Sequence, residues 1–225
     1  MRIALAFTAA MMAAPAVHAA AKPTAVQRVT ANSVAYVPTT VTAPAPLVVL
    51  LHGAGGDSRS FLDEFKRDAE RRGIILLSIQ SSGRTWAQHE PEDTEQDVRN
   101  IKASIRDLSA EAPVDSNRTA VMGFSDGASY ALSIGMAYPN LFRAIVAFSP
   151  GYAFAPASVR TDQRIFIAHS RRDPVLPADN TRRMVKDLES AGLSPEVHWF
   201  NGGHEIDRHL KQAAFDFVVG NPLSP

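Results

Sequence analysis

Five residues, Gly123-Phe124-Ser125-Asp126-Gly127, limit what this chain can fold into more than any other stretch of it. They lie between the apolar run Thr119-Ala120-Val121-Met122 and a small-residue helical pattern at Ala128, Ala131, Leu132 and Gly135, which reads as strand, sharp turn, helix. A turn of this kind holds its central serine in a strained backbone conformation. Strand and helix come close enough only when the positions two residues either side of the serine carry almost no side chain, and both are glycine here. A lone G-x-S-x-G occurs by chance in many chains, so its meaning depends on what else the chain supplies in the right order.

With 225 residues, 45% hydrophobic and 20% charged, the chain has enough apolar material for one sizeable core, and its length favours one domain over two. Its 23 basic and 23 acidic residues cancel, which gives no reason to expect nucleic acid or an anionic membrane as a partner. It has no cysteine, which excludes disulfides, thiol chemistry and a lipoprotein anchor. The seven histidines include no H-E-x-x-H and no paired ligand spacing, so no metal is expected.

Arg2 followed by the alanine-rich apolar run from Ile3 to Val17, with small residues at Val17-His18-Ala19 and Ala19-Ala20-Ala21, reads as an export signal over residues 1–21. The run is short for a spanning helix and Pro15 interrupts it, so stable membrane insertion is not expected. The expected location is therefore periplasmic or secreted, with residues 22–225 as the mature domain.

Downstream, short apolar runs alternate with helix-period segments, and no internal repeat occurs. Ser33 to Val37 is a possible edge strand, followed by the breakers Pro38, Pro44 and Pro46. Leu47 to Leu51 is continuously apolar, as a strand covered on both faces must be. Strands are also expected at 74–79, 119–122, 144–148, 164–168 and 196–200. The helices lie between them: one begins near Asp57 or Ser58, one carries Val98, Ile101, Ile105 and Leu108, and others run over 129–138, 180–190 and 206–219. This alternation predicts an α/β fold, a mostly parallel sheet with helices on both faces.

Within such a sheet, functional side chains sit at the carboxyl ends of strands. His52-Gly53-Ala54-Gly55-Gly56 directly follows the first buried strand. Without a Walker or dinucleotide spacing, its glycines suit a loop whose backbone approaches a developing oxyanion, and the amides of Ala54 and Asp126 are the expected donors. Of the carboxylates between Ser125 and the last histidines, Asp162 and Glu196 precede strands, while Asp179, Asp187 and Glu189 belong to a helix. Asp173 alone follows a strand at its carboxyl end. Among the histidines, His52 precedes the serine in chain order, His169 and His198 lie within or against strands, and His209 is on the last helix. His204, in the glycine loop Asn201-Gly202-Gly203-His204, is free to lean over the sheet toward Ser125 and take its proton. Trp86, in the stretch Ser81 to His89, is expected to line the pocket.

Taken together, the 52–56 loop, the 123–127 turn, Asp173-Pro174-Val175-Leu176-Pro177 and Gly202-Gly203-His204 resemble the α/β-hydrolase superfamily. The nearest branches are the phospholipase/carboxylesterase and dienelactone-hydrolase-like esterases, with polyhydroxybutyrate-depolymerase-like and feruloyl-esterase-like proteins beside them. The likeness spans about residues 45–218. It implies a three-layer sandwich with Ser125 as nucleophile, His204 as base and then acid, Asp173 as orienting carboxylate, and no cofactor. It implies a small-molecule or polymer ester as substrate. Dienelactone hydrolase itself uses a cysteine nucleophile, which this chain lacks. A serine peptidase or amidase on the same fold is the alternative, and a non-catalytic binding protein a third reading. Only the short segment Ser149 to Gln163 separates two of the strands, so no large cap domain is expected.

Overall fold

The computed structural model describes residues 26–86, 91–156 and 158–220, with backbone only for 91–94. The export signal expected over 1–21 lies outside the described residues. In chain order the elements are β1 (Gln27–Thr30), β2 (Ser33–Tyr36), β3 (Ala45–Leu51), α1 (Ser58–Arg72), β4 (Ile75–Ile79), α2 (Pro91–Glu111) and β5 (Val114–Phe124). They continue with α3 (Asp126–Ala137), β6 (Ala144–Phe148), β7 (Arg164–Ser170), α4 (Ala178–Ser190), β8 (Glu196–Phe200) and α5 (Arg208–Val219). The strands form one eight-stranded sheet in the order β1-β2-β4-β3-β5-β6-β7-β8. β2 runs antiparallel to β1 and β4, and every pairing from β4 through β8 is parallel.

The period of two along β3 explains how this sheet becomes the middle of a sandwich. Leu47, Val49 and Leu51 point into one apolar cluster with Ile101 and Leu108 of α2, Leu132 of α3 and Met184 and Leu188 of α4. Val48 and Leu50 point the other way, against Leu62 and Phe65 of α1 and Phe215 and Val218 of α5. Each such fully buried aliphatic or aromatic side chain stabilises the fold by about 1.5–3 kcal/mol. A strand with both faces covered can therefore be apolar at every position.

Several boundaries differ from the sequence reading. β1 is an additional outermost strand, so β2 is not the edge; its four polar or half-exposed residues carry too weak an alternation to be read. β5 reaches beyond its apolar core at both ends, starting at Val114, because pairing across the irregularity between Ala45 and Leu47 continues the ladder. Pro46, expected to be a breaker, lies within β3 at that irregularity, a position where a missing N–H is tolerated. α1 is capped by Asp57, whose carboxylate accepts the Ser60 N–H at 2.8 Å, and it ends on Gly73 in the left-handed region.

Gly123 and Gly127 show what the central turn requires. A Cβ on Gly123 would overlap the backbone of Gly127, and one on Gly127 would overlap the carbonyls of Leu51 and His52. The second contact seats the start of α3 on the end of β3, so Gly127 joins two strand ends rather than one. Gly127→Ala is expected to lower stability by at least about 1–3 kcal/mol, because that backbone contact must open. Urea unfolding of the purified variant measures this, and an unchanged midpoint would contradict the close approach.

Candidate active site

The parallel strands β3 to β8 end along one edge, and the loops leaving them bring together residues far apart in sequence. Ser125 sits at the tip of the β5–α3 turn with φ 56° and ψ −117°, a conformation that costs a non-glycine residue about 1–3 kcal/mol. The neighbourhood holds it there. Its N–H donates to the Phe148 carbonyl at 2.9 Å, and its own carbonyl accepts the Ala128 and Ser129 N–H groups at 3.1 Å each.

His204, on the loop between β8 and α5, places Nε2 2.8 Å from Ser125 Oγ and Nδ1 2.7 Å from Asp173 Oδ2. With Nδ1–H donated to the carboxylate, Nε2 is left as the acceptor for the serine proton. The ring lies against Phe124, centroid to centroid 4.9 Å. Asp173 follows β7 and is itself fixed, since Oδ1 accepts the N–H groups of Val175 and Leu176 at 2.8 Å each. Burial pushes the Asp173 carboxyl up, but the hydrogen bonds from His204, Leu176 and Val175 outweigh it and hold the group below the usual carboxylate value.

The 52–56 loop lies directly beside the serine: a Cβ on Gly53 would stand 3.3 Å from the Phe124 ring and 3.5 Å from Ser125 Cβ. The loop is tightened by Gly56 N–H to the Gly53 carbonyl at 2.9 Å. Ala54 is exposed at the crest of this turn, and Asp126 opens α3, where helix geometry turns the first N–H groups outward. The two expected donors thus stand on neighbouring strand ends.

His52 is buried beneath them. Its Nε2 accepts from Gln80 Nε2 at 3.0 Å and Ser81 N–H at 3.3 Å, and its Nδ1 donates to the Gly53 carbonyl at 2.7 Å. That is a structural role, with no contact to Ser125. Trp86 departs from expectation. It is 1% exposed rather than lining an open pocket, stacked on Tyr130 at 5.1 Å, with its indole N–H donated to the His52 carbonyl at 2.7 Å. His198 stacks on Phe166 and bonds Glu196, and His209 is exposed on α5.

The position of His169 within a strand gives no sign of a role at the site, yet it backs the acid. It is fully buried, with Nε2 2.9 Å from the Leu176 carbonyl and 3.4 Å from Asp173 Oδ2, while Thr181 Oγ1 lies 2.7 Å from its Nδ1. Burial lowers its pKa, with the Leu176 and Asp173 contacts opposing, so the ring is held neutral. Among the described residues no cluster of His, Asp or Glu is arranged to hold a metal ion.

The model of the family described as phospholipase/carboxylesterase matches residues 32–220. NocK of Nocardia uniformis subsp. tsuyamanensis is 27% identical over 184 residues, covering 76% of this chain and 52% of that protein. The esterase YpfH of Escherichia coli (strain K12) is 31% identical over 116 residues, covering 51% of this chain and 50% of YpfH. The chain thus spans about half the length of these two relatives. The carboxylesterase of Bacillus cereus shares the fold with a TM-score of 0.67 at 21% identity, covering 84% of this chain and 93% of its own.

The electrostatics set a pH dependence of stability. Because the folded protein holds the Asp173 carboxyl below its usual value, the stability contributed by its charge should be present at neutral pH and be lost only as the pH falls through that lowered value. The stability difference between wild type and Asp173→Asn, measured by urea unfolding, should therefore shrink on acidification, and a difference that stays constant would contradict the paired, ionised carboxylate.

Proposed function

This chain belongs to the phospholipase/carboxylesterase family, and from that membership and the geometry around Ser125 we propose that it is a carboxylic ester hydrolase working by two-step acyl transfer. The observation that carries the reading is the unbroken chain from Ser125 Oγ to His204 at 2.8 Å and from His204 to Asp173 at 2.7 Å. Ser125 attacks the ester carbonyl while His204 takes its proton, and the amides of Ala54 and Asp126 receive the oxyanion. His204 then protonates the leaving alcohol. Water repeats the sequence on the acyl-enzyme and frees the acid. Asp173 keeps the imidazole in the tautomer that accepts at Nε2 and stabilises the imidazolium.

Ser125→Ala should leave the protein folded and lower kcat on an aryl acetate by a factor on the order of 10⁴ to 10⁶. His204→Ala should be comparably severe, and Asp173→Asn should cost up to about 10⁴. Retention of a tenth of wild-type turnover by Ser125→Ala would dismiss the reading.

We assign the site to small or exposed esters. Residues 149–156, the first part of the connection from β6 to β7, run as a strap along α3. Gly151 N–H donates to Ser129 Oγ at 2.9 Å and Phe154 N–H to Ser133 Oγ at 3.0 Å, so serines one helical turn apart fasten it down. Nothing in such a strap needs to open before substrate enters. Each buried methylene is worth about 0.8 kcal/mol, and an open site soon runs out of wall to bury them. Aryl acetates and butyrates should be turned over better than palmitates, with rate rising smoothly with substrate concentration. A preference for palmitate with a jump in rate at the oil–water interface would overturn this assignment.

A further inference from the structure

The side chain of Asp126 does something that its backbone role does not require. One carboxylate oxygen accepts the Trp86 N–H at 3.0 Å and the Thr85 hydroxyl, and the other accepts the Tyr152 hydroxyl at 3.1 Å. Thr85 and Trp86 belong to the loop leaving β4, and that loop holds the turn carrying Ala54. The Arg84 carbonyl accepts the Gly55 N–H at 2.7 Å, and the Trp86 indole N–H donates to the His52 carbonyl at 2.7 Å. A continuous path of hydrogen bonds therefore runs from the elbow, through Thr85 and Trp86, to the residues immediately before and after Gly53 and Ala54. The far end of the 81–86 loop is pinned by a second carboxylate, buried Asp97, which accepts Ser82 N–H at 2.9 Å and Ser82 Oγ–H at 2.7 Å.

Resting on the ester-hydrolase reading, we infer that the Asp126 carboxylate is a positioning group that sets the two oxyanion donors in register with each other. The donors sit just beyond the ends of β3 and β5, which pair in register as far as Leu51 and Gly123, so the sheet ladder places the two loops side by side but does not itself aim their amides. Two amides act together only if they face one point within a few tenths of an ångström, and a displacement of about 1 Å can cost about 10²-fold in rate. A carboxylate suits the task, because it is an acceptor only, has several lone pairs and forms stronger hydrogen bonds than a neutral acceptor. Asp126 supplies one donor from its own N–H and, through its side chain, holds the loop that carries the other. The same carboxylate draws Tyr152, at the head of the strap, onto the elbow.

The test compares Asp126→Ala, Asp126→Asn, Thr85→Val and the Asp126→Ala/Thr85→Val double variant, each also made with Trp199→Phe so that Trp86 is the sole indole. Because the oxyanion exists only in the transition state, Asp126→Ala should lower kcat on an aryl acetate by about 10- to 100-fold while KM moves less than about threefold. Asp126→Asn keeps one acceptor oxygen and should recover a large part of the loss. Thr85→Val should cost less than Asp126→Ala and add nothing to it in the double variant, since both remove the same link. Trp86 emission should shift to the red and become more open to acrylamide quenching in Asp126→Ala. An unchanged kcat, a loss confined to KM, or losses that multiply in the double variant would overturn the inference. If Asp126→Ala fails to fold, Asp126→Asn and Thr85→Val test the same link through their kcat and Trp86 emission. A wild-type protein inert to both aryl esters and an organophosphonate would instead overturn the ester-hydrolase reading, and Trp86 emission would still show whether the carboxylate holds the loop.

Discussion

The contact on which the site depends is the one between the start of α3 and the end of β3, backbone against backbone, with Gly127 over the carbonyls of Leu51 and His52. It is possible only without a Cβ, and it draws three consequences from one absent methyl group. It fixes the direction in which α3 leaves the sheet, it leaves Ser125 at positive φ at the crest of the turn, and it brings the 52–56 loop beside the serine. The local cost of that backbone, about 1–3 kcal/mol, is offset by the hydrogen bonds on either side of Ser125 and by the burial of both sheet faces. A less well-packed sheet would let the turn relax, and the serine hydroxyl would then miss His204.

The electrostatic arrangement follows the same economy of parts. Asp173 is buried, yet it remains ionised because each of its oxygens meets fixed donors: two loop amides on one side and His204 on the other. Breaking that set would leave a buried charge unpaired, which is far costlier than losing one exposed ion pair. His169 stands behind it as a neutral ring whose contacts to Leu176 and Thr181 hold the 173–177 loop against β7 and α4. The surface ion pairs, such as Arg160 with Asp162 or Arg99 with Glu95, contribute little by comparison.

The elements legible in the sequence are those whose signal is local and periodic. The apolar run 47–51 could only be a two-faced strand, the spacing of Val98, Ile101, Ile105 and Leu108 could only be one face of a helix, and the strands at 144–148 and 196–200 have the bounds expected of them. Asp173 and His204 stand out by topology and chain order rather than by pattern, since after the serine they are the carboxylate and the histidine on loops that leave strands at the carboxyl edge. The departures have equally local causes. β1 is too short and too polar to show alternation, and Pro46 reads as a breaker because sequence does not reveal that a ladder is irregular there. Trp86 looks like a pocket residue since it follows a strand end, but its stacking partner Tyr130 lies on α3, far along the chain.

By itself the sequence determined the alternation of strand and helix, the strained serine turn and the identity of the residues at strand ends, because these rest on side-chain period and on the steric freedom of glycine. Tertiary structure alone decided distances: that His204 reaches Ser125 at 2.8 Å, that His169 backs the acid, and that the Asp126 carboxylate gathers Thr85, Trp86 and Tyr152. These contacts join loops from different strands whose relative placement is set by sheet register and by the packing of both helical layers. No short stretch of residues encodes that placement, since it is the sum of many weak burials distributed over the whole chain.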